Sequence, residues 1–358
     1  MKKRLALLLC AVMSLSVLAG CGSDENATGV SATADDATTS VAATEVAATD
    51  ATEEEATVEV TTEDGKVYHI GICQLLEHPA LDEATKGFQD ALTEKLGADG
   101  VVFDFQNAQG EQTNCATITT QFVTDGVDLI LANATAPLQA AAAATNTIPV
   151  LGTSITDYAT ALDIADWNGA TGTNISGTSD LAPLGEQESI LQDMFPEAKN
   201  VGILYCSAEP NSVYQATVFE SYLEKNGLEY QEFTFSDSND LNNVVTSACD
   251  YADVLYIPTD NTAAANTEVI RNIVVPAGVP VVAGEEGICS GCGVATLSIS
   301  YYDIGYKAGE MAYDILVNGA DVSTMEIEYA PQVTFEYNAE LCDTYGITPP
   351  EGYIAIGE

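Results

Sequence analysis

The sequence predicts an α/β protein built as two doubly wound parallel-sheet lobes, and three observations carry that expectation. From Val67 onward, apolar runs of strand length alternate with amphipathic runs of helix length, the βαβ pattern of a parallel sheet with helices on its faces. Strand runs such as Val127–Ala132 are apolar apart from Asp128 near the start, close to what a strand covered on both faces requires. The alternation pauses at a Gly/Thr/Asn-rich stretch, Ala170 to Gly177, and then begins again. Two successive halves imply two lobes.

The first half opens with a strand at Val67–Cys73. A helix follows at Pro79–Leu96, because Leu81, Ala84, Phe88, Leu92 and Leu96 fall on one helical face. Pro79 suits its first turn and Gly97 its end. A strand at Val101–Phe105 leads to a helix at Glu111–Thr124, with Cys115, Ile118, Phe122 and Val123 on one side. The strand Val127–Ala132, an alanine-rich helix from Pro137 to Thr145 and a strand at Ile148–Gly152 complete this half. The second half starts with a helix at Leu184–Phe195. Strands are expected at Val201–Tyr205, Tyr230–Thr234, Val254–Pro258, Val279–Val282 and Val294–Ile299. Helices fall between them near Ser212–Asn226, Leu241–Cys249 and Ala263–Val275, and Asn239 or Asp240 is the expected N-cap of the middle one. A last helix, Ile304–Val317, follows Tyr301 and Tyr302.

Ahead of the fold lies an export address. Lys2, Lys3 and Arg4 precede an apolar run from Leu5 to Leu18. That run is too short for a permanent span, which takes about 20 residues, and has the shape of a secretory signal. It ends in Leu18-Ala19-Gly20-Cys21, which resembles the lipobox of bacterial lipoproteins. The resemblance implies that residues 1–20 are cleaved and that the Cys21 thiol is lipidated, leaving an extracytoplasmic lipoprotein on the cell membrane. Residues 22–64 hold no aromatic and no basic residue. Such a segment buries too little apolar surface to offset its ordering entropy, so 21–64 reads as a disordered acidic Ala/Thr tether.

The formal charge is −44, and −47 once Lys2, Lys3 and Arg4 leave with the signal. That excludes a nucleic-acid partner, which needs a basic footprint. Of nine cysteines, seven remain after Cys10 and Cys21 are set aside; an odd number leaves at least one thiol unpaired. Cys289-Ser-Gly-Cys292 is the only close pair, and His69 and His78 are the only histidines. No second half exists for a zinc site, so that pair reads as a loop disulfide or two free thiols. No nucleophile elbow, phosphate-binding loop, zinc-protease motif or dinucleotide fingerprint occurs. The chain is therefore not expected to be an enzyme, and no metal or cofactor is expected.

In open α/β sheets ligands bind beyond the carboxyl ends of the strands. The loops there run Gln74–Asp82, Asn107–Gly110 and Asn133–Pro137 in the first half, then Cys206–Ser212, Pro258–Asn261 and Gly284–Gly287 in the second. All are polar and open into helices, whose free N–H groups suit a carboxylate. Asp260, Glu285 and Glu286 suit an ammonium. A site with both fits an amino acid zwitterion.

The runs EHPALD (Glu77–Asp82), NAQG (Asn107–Gly110), GTSD (Gly177–Asp180), PTDN (Pro258–Asn261), GEEG (Gly284–Gly287) and YYDIGY (Tyr301–Tyr306) resemble the ABC-transporter substrate-binding lipoproteins of the tryptophan/tyrosine-binding, TrpX-like family. The match extends in order from Val67 to Gly346. It implies a type I periplasmic-binding-protein fold, with the two lobes joined by a hinge of three crossings. The N-terminal lobe would comprise 65–178 and 300–325, the C-terminal lobe 179–299 and 326–358. It also implies a monomer that captures an aromatic amino acid (Trp, Tyr or Phe) by cleft closure and delivers it to a membrane permease and its ATPase. A ligand-binding sensor lipoprotein of the same fold, signalling to a membrane receptor, is the alternative. The sequence departs from the family at Ser300, where an Asp is usual, at Tyr158, where Asp157 is usually followed by Pro, and at Cys289 and Cys292.

Within that frame Thr135, Ala136, Ser207 and Ser212 are expected at the ligand's carboxylate. Asp260, then Glu286, is expected at its ammonium. Leu76, Pro79 and Tyr205 would wall an aromatic side chain and His78 would stack on it. Asn211 and Asn261 would hydrogen-bond a ring substituent or the ammonium. Glu77, Asp157 and Ser179 complete the candidate set, and Asp180 is read as a helix cap at a hinge crossing.

Overall fold

The structure, a computed structural model, describes residues 65–357. The signal peptide 1–20, the Cys21 lipidation site and the tether 21–64 lie outside the described residues. The first lobe runs β1 (Tyr68–Gln74), α1 (Pro79–Leu96), β2 (Val101–Asn107), α2 (Gln112–Asp125), β3 (Leu129–Asn133), α3 (Thr135–Ala144), β4 (Val150–Ile155), the short α4 (Tyr158–Ala161) and β5 (Ile175–Ser179). The second lobe follows as α5 (Leu184–Met194), β6 (Asn200–Cys206), α6 (Pro210–Asn226), β7 (Glu229–Phe235), α7 (Ser238–Tyr251), β8 (Val254–Ile257), α8 (Asn261–Ala264), α9 (Thr267–Ala277), β9 (Val281–Ala283), α10 (Glu286–Cys292) and β10 (Ala295–Ser298). The chain then returns to the first lobe as α11 (Tyr301–Leu316) and β11 (Glu328–Tyr329). It ends in the second with β12 (Thr334–Tyr337), α12 (Ala339–Tyr345) and β13 (Ile354–Ala355).

The first sheet has the order β11-β5-β4-β3-β1-β2 and the second β13-β12-β10-β9-β8-β6-β7. All pairings are parallel except β12 on β10. The five successive strands β6 to β10 repeat the order of β1 to β5, so each lobe has its own switch point, between β1 and β3 and between β6 and β8. Loops leaving those strands flank the natural ligand crevice.

Three crossings join the lobes: 180–183, 299–300 and 330–333. The last lies beyond the expected boundary after residue 325, because β11 pairs with β5 at Glu328↔Thr178 and keeps the chain in the first sheet through Tyr329. β5 itself arises at the end of the Gly/Thr/Asn-rich stretch, where no strand was expected. Its Gly177 sits at φ +141, and a Cβ there would strike the Gly152 carbonyl, so the strand is fixed by close approach to β4 rather than by apolar periodicity. The helix expected at Ala263–Val275 is two helices. Asn266 turns out of helical geometry at φ −128 while its side chain donates to the Thr262 carbonyl at 2.7 Å. α7 begins earlier than expected, capped by Asp237 accepting from Asn239 N at 2.8 Å, and neither Asn239 nor Asp240 is its cap. The Cys289–Cys292 pair is helical, within α10, and all seven cysteines among the described residues are free thiols.

α1 and α11 pack without side chains between their backbones where Gly87 meets the Tyr302 carbonyl and Gly305 meets Ala84. That contact ties the loop preceding α1 to the crossing preceding α11. Gly305→Leu is expected to force the helices apart and destabilise the protein by about 3 kcal/mol or more, measurable as a lower urea midpoint.

Candidate ligand-binding cleft

The lobes meet along their switch-point loops. A cavity of about 890 Å³ lies between them, with Leu76, Glu77 and Ala136 on one side and Cys206, Asn211 and Thr262 on the other. A second interlobe cavity of about 670 Å³ is lined by Pro79, Glu83, Glu286, Tyr301, Tyr302 and Glu336. From lobe to lobe, His78 Nε2 meets Asn261 Oδ1 at 3.2 Å, and in the lining of the larger cavity Gln112 Nε2 donates to the Ala208 carbonyl at 3.5 Å. Direct bonds from lobe to lobe mark a closed cleft.

On the first lobe a buried polar net fixes the loop after β1. Gln74 Nε2 donates to Asp82 Oδ1 at 2.7 Å and to the Leu76 carbonyl at 2.9 Å. Thr85 Oγ1 donates to Gln74 Oε1 at 2.6 Å, and Asn133 Nδ2 donates to Thr85 Oγ1 at 2.9 Å. The loop after β3 is strained, with Ala134 at φ 95. Such strain persists where surrounding structure holds it, and it clusters at functional sites. Ala134 as N-cap makes no side-chain bond. The first N–H groups of α3, at Thr135 and Ala136, are thus left for another acceptor, with the helix dipole behind them. Ser154, at the end of β4, also has a positive φ of 56.

Of the seven buried polar side-chain atoms without a partner among the described residues, four sit in this lobe's carboxyl-terminal strand ends, the loop after β1 or the crossing that follows: His78 Nδ1, Asn133 Oδ1, Ser154 Oγ and Asp180 Oδ1. Buried polar groups are normally paired, so this concentration marks a surface made to meet something else. Asp180 closes β5 into the first crossing. Its other oxygen accepts from Tyr301 Oη at 3.1 Å, linking the first crossing to the second. Burial pushes its pKa up to about 6, opposed by the nearby Thr156 and Tyr301 hydroxyls and its own backbone N–H.

The second lobe's acids are occupied differently. Asp260 accepts from Cys206 N at 2.6 Å and from Ala263 N at 2.8 Å, so both oxygens hold its own lobe together. Burial, then the charge of Glu209, raises its pKa to about 8. Glu285 caps α10 through Gly287 N at 2.7 Å and Ile288 N at 2.5 Å, and burial raises it to about 7. Glu209, which the sequence reading passed over, accepts from Asn261 Nδ2 at 2.7 Å, Asn261 N at 3.0 Å, Thr262 N at 2.9 Å and Thr262 Oγ1 at 2.7 Å. It fixes the residue that reaches across to His78.

A scan of family models matches residues 69–356 to the ABC transporter substrate binding protein family. The chain belongs to that family. Its members bind solutes and are not enzymes, and the two-lobed architecture is the type I periplasmic-binding fold. A tyrosine-binding protein of Clostridioides difficile (strain R20291) is 34% identical over 317 residues, covering 88% of this chain and 84% of the relative. Among solved structures, a Streptococcus pneumoniae ABC domain in complex with L-Trp is 31% identical with a TM-score of 0.77, covering 81% of this chain and 100% of that one. The ligand-free, open structure of a Clostridium difficile substrate binding protein with adhesive properties is 35% identical, covers 81% and 99%, and has a TM-score of 0.63. The chain is more identical to the open protein yet superposes better on the liganded one, which agrees with the direct cross-lobe bonds.

The expected site residues divide accordingly. Leu76, Glu77, Ala136 and Asn211 line the larger cavity, Pro79 and Glu286 the smaller, while His78 and Asn261 line neither and join the two lobes. Thr135 starts α3. Tyr205 is a correction. It packs in the second lobe's core and its hydroxyl donates to Glu232 on β7 at 2.6 Å, because β6 is covered on both faces and Tyr205 lies on the one packed against α6. Ser207 is exposed and donates to the Phe235 carbonyl at 3.1 Å. Asn211 donates to the Thr259 carbonyl at 3.0 Å, and Ser212 is buried against it. Asp157 caps α4 through Thr160 N at 2.7 Å. Ser179 donates to the Thr156 carbonyl at 3.1 Å. Ser300, where an Asp is usual, caps α11 by accepting from Asp303 N at 3.1 Å. Among the described residues no cluster of His, Cys, Asp and Glu suits a metal ion, and no helix is long and apolar enough to cross a membrane.

Proposed function

We propose that the cleft binds an aromatic amino acid as its zwitterion. The observation that carries this reading is the set of buried, unpartnered polar atoms at the first lobe's strand ends. Asp180 Oδ1, an acceptor on a buried carboxylate, suits an ammonium. The uncapped start of α3 at Thr135 and Ala136, with the Ser154 hydroxyl, suits a carboxylate. The ammonium role thus passes from Asp260, whose oxygens are already engaged, to Asp180. The tyrosine-binding relative and the L-Trp complex support an aromatic side chain, and the interlobe cavity of about 890 Å³, within the range for a small ligand, reaches the start of α3 at Ala136. The ligand bridges the lobes and favours the closed state by its differential affinity for it. The closed form then docks on a membrane permease served by an ATPase. Delivery follows from an outward-facing monomer anchored through a lipidated Cys21, the address read from the sequence.

A thermal-shift screen over the twenty amino acids tests this. A ligand present at a hundred times its Kd stabilises by about 2.7 kcal/mol, so Tyr or Trp is expected to raise the midpoint by several degrees. A flat response to all twenty ends the reading.

A further inference from the structure

The protons around His78 specify what the ligand's side chain must bring, on the reading that an aromatic amino acid occupies the cleft. Glu209 accepts from the Asn261 amide, its backbone N–H and Thr262, the pattern of a carboxylate. The Asn261 NH₂ is therefore turned to Glu209, and its oxygen, an acceptor only, is turned to His78. His78 Nε2 must then carry the proton of their 3.2 Å bond. In a neutral imidazole Nδ1 is left as a bare acceptor. Burial keeps the ring neutral, lowering its pKa against the opposing influence of Asn261, Glu209 and Asp82. His78 is 7% exposed, and its Nδ1 has no partner. Its chain neighbours Glu77 and Pro79 line the two cavities.

We propose that His78 is a specificity-determining residue whose Nδ1 accepts a hydrogen bond from the side chain of the bound amino acid. The phenol O–H of tyrosine and the indole N–H of tryptophan supply that proton, and phenylalanine does not. A bound phenylalanine leaves a buried acceptor unpaired, which converts to a loss of about 10- to 100-fold. The ammonium does not compete for this position, because free carboxylate oxygens, Asp180 Oδ1 on this reading, suit it better than a neutral imidazole nitrogen.

Calorimetric titration of the whole protein with Tyr, Trp and Phe tests the assignment, using wild type, His78→Gln and His78→Asn. Gln places an amide near Nε2, keeping a donor for Asn261 and losing the Nδ1 acceptor. Asn places its amide near Nδ1, keeping an acceptor there and losing the bond across the cleft. Wild type is expected to bind Tyr or Trp at least 10-fold tighter than Phe. His78→Gln should bring that ratio close to one by losing Tyr and Trp affinity, and His78→Asn should preserve it while all three bind more weakly. A wild type without preference over Phe, a ratio unchanged in His78→Gln, or a uniform loss for all three ligands overturns the assignment and leaves amino acid binding standing. Failure of wild type to bind any of the three removes the underlying reading and this one with it.

Discussion

Replacing Asp180 by Asn is expected to weaken amino acid binding by at least roughly 30-fold, and up to several thousand-fold, without unfolding the protein. The range corresponds to the 2–5 kcal/mol lost when one partner of a buried charge pair is removed. Asp180 is buried, one oxygen takes the Tyr301 hydroxyl and the other takes nothing. An arriving ammonium would supply both the missing hydrogen bond and the missing counter-charge. Asn keeps a site for the Tyr301 hydroxyl but carries no charge. The empty protein loses a buried, poorly solvated carboxylate in the exchange, so its melting temperature should hold or rise. The pKa pushed up to about 6 adds a second signature. An ammonium beside Asp180 favours its ionised form, so wild-type affinity should be level above pH 6 and fall below it, approaching tenfold per pH unit as one proton is taken up on release. Calorimetry from pH 8 to pH 5 on both proteins checks the two signatures together. Binding by Asp180→Asn within threefold of wild type would return the ammonium to another residue.

Why this residue was not singled out from the sequence is instructive. The polar strand-end loops were legible, and so were their acids. Which acid is free depends on contacts far away in the chain. Asp260 is engaged by the N–H of Cys206, 54 positions earlier, and Asn261 is held by Glu209, 52 positions earlier. Only when β6 and β8 stand side by side does that become fixed. Asp180 sits in a run read as a hinge, and nothing local reveals that one of its oxygens lacks a donor. Tyr205 fails for a related reason. A strand covered on both faces has no alternation to say where its core ends and the cleft-side loop begins. The opposite case is α1, expected and found at Pro79–Leu96, because Pro at its start, an apolar stripe and Gly97 at its end are all local signals. β5 and β11 were missed because pairing, rather than composition, makes them strands.

Acidification from pH 7.5 to pH 5.5 is expected to stabilise the ligand-free protein. Five carboxyls have folded pKa values raised above their unfolded ones: Asp180 to about 6, Asp260 to about 8, and Glu220, Glu285 and Glu336 to about 7. Burial leads in every case. A carboxyl with a raised folded pKa binds more protons folded than unfolded across the interval between the two values. Its destabilising effect, present at neutral pH, is relieved as pH falls through that interval, here from about 8 to about 4. Glu220 and Glu336 are partly solvated and contribute less than the three fully buried acids. Two groups oppose them, and one is Cys115, whose thiol pKa is lowered from its usual 9.0 by its hydrogen bond with Cys73. The other, His78, has a lowered pKa, so its unfolded form gains a proton first as pH falls below 6.5, which weakens the fold. The depressed carboxyls Asp90, Asp253 and Asp321 matter only below their unfolded value of 3.8, outside this interval. Five groups against two, on a chain whose net charge of −44 also relaxes as carboxylates protonate, set the sign. Even ~2 kcal/mol would raise the melting temperature by roughly 4 °C or more, within easy reach of calorimetry. Glu285→Gln, which keeps an acceptor for the cap of α10 but cannot ionise, should raise the midpoint at pH 7.5 and flatten the pH dependence. A wild-type melting temperature that falls steadily from pH 7.5 to pH 5.5 would mean that these acids are solvated well enough to ionise at their ordinary pKa values. The ligand should move the curve in a defined way: pairing Asp180 with an ammonium removes its share of the penalty, so a bound amino acid should stabilise the protein more at pH 7.5 than at pH 5.5.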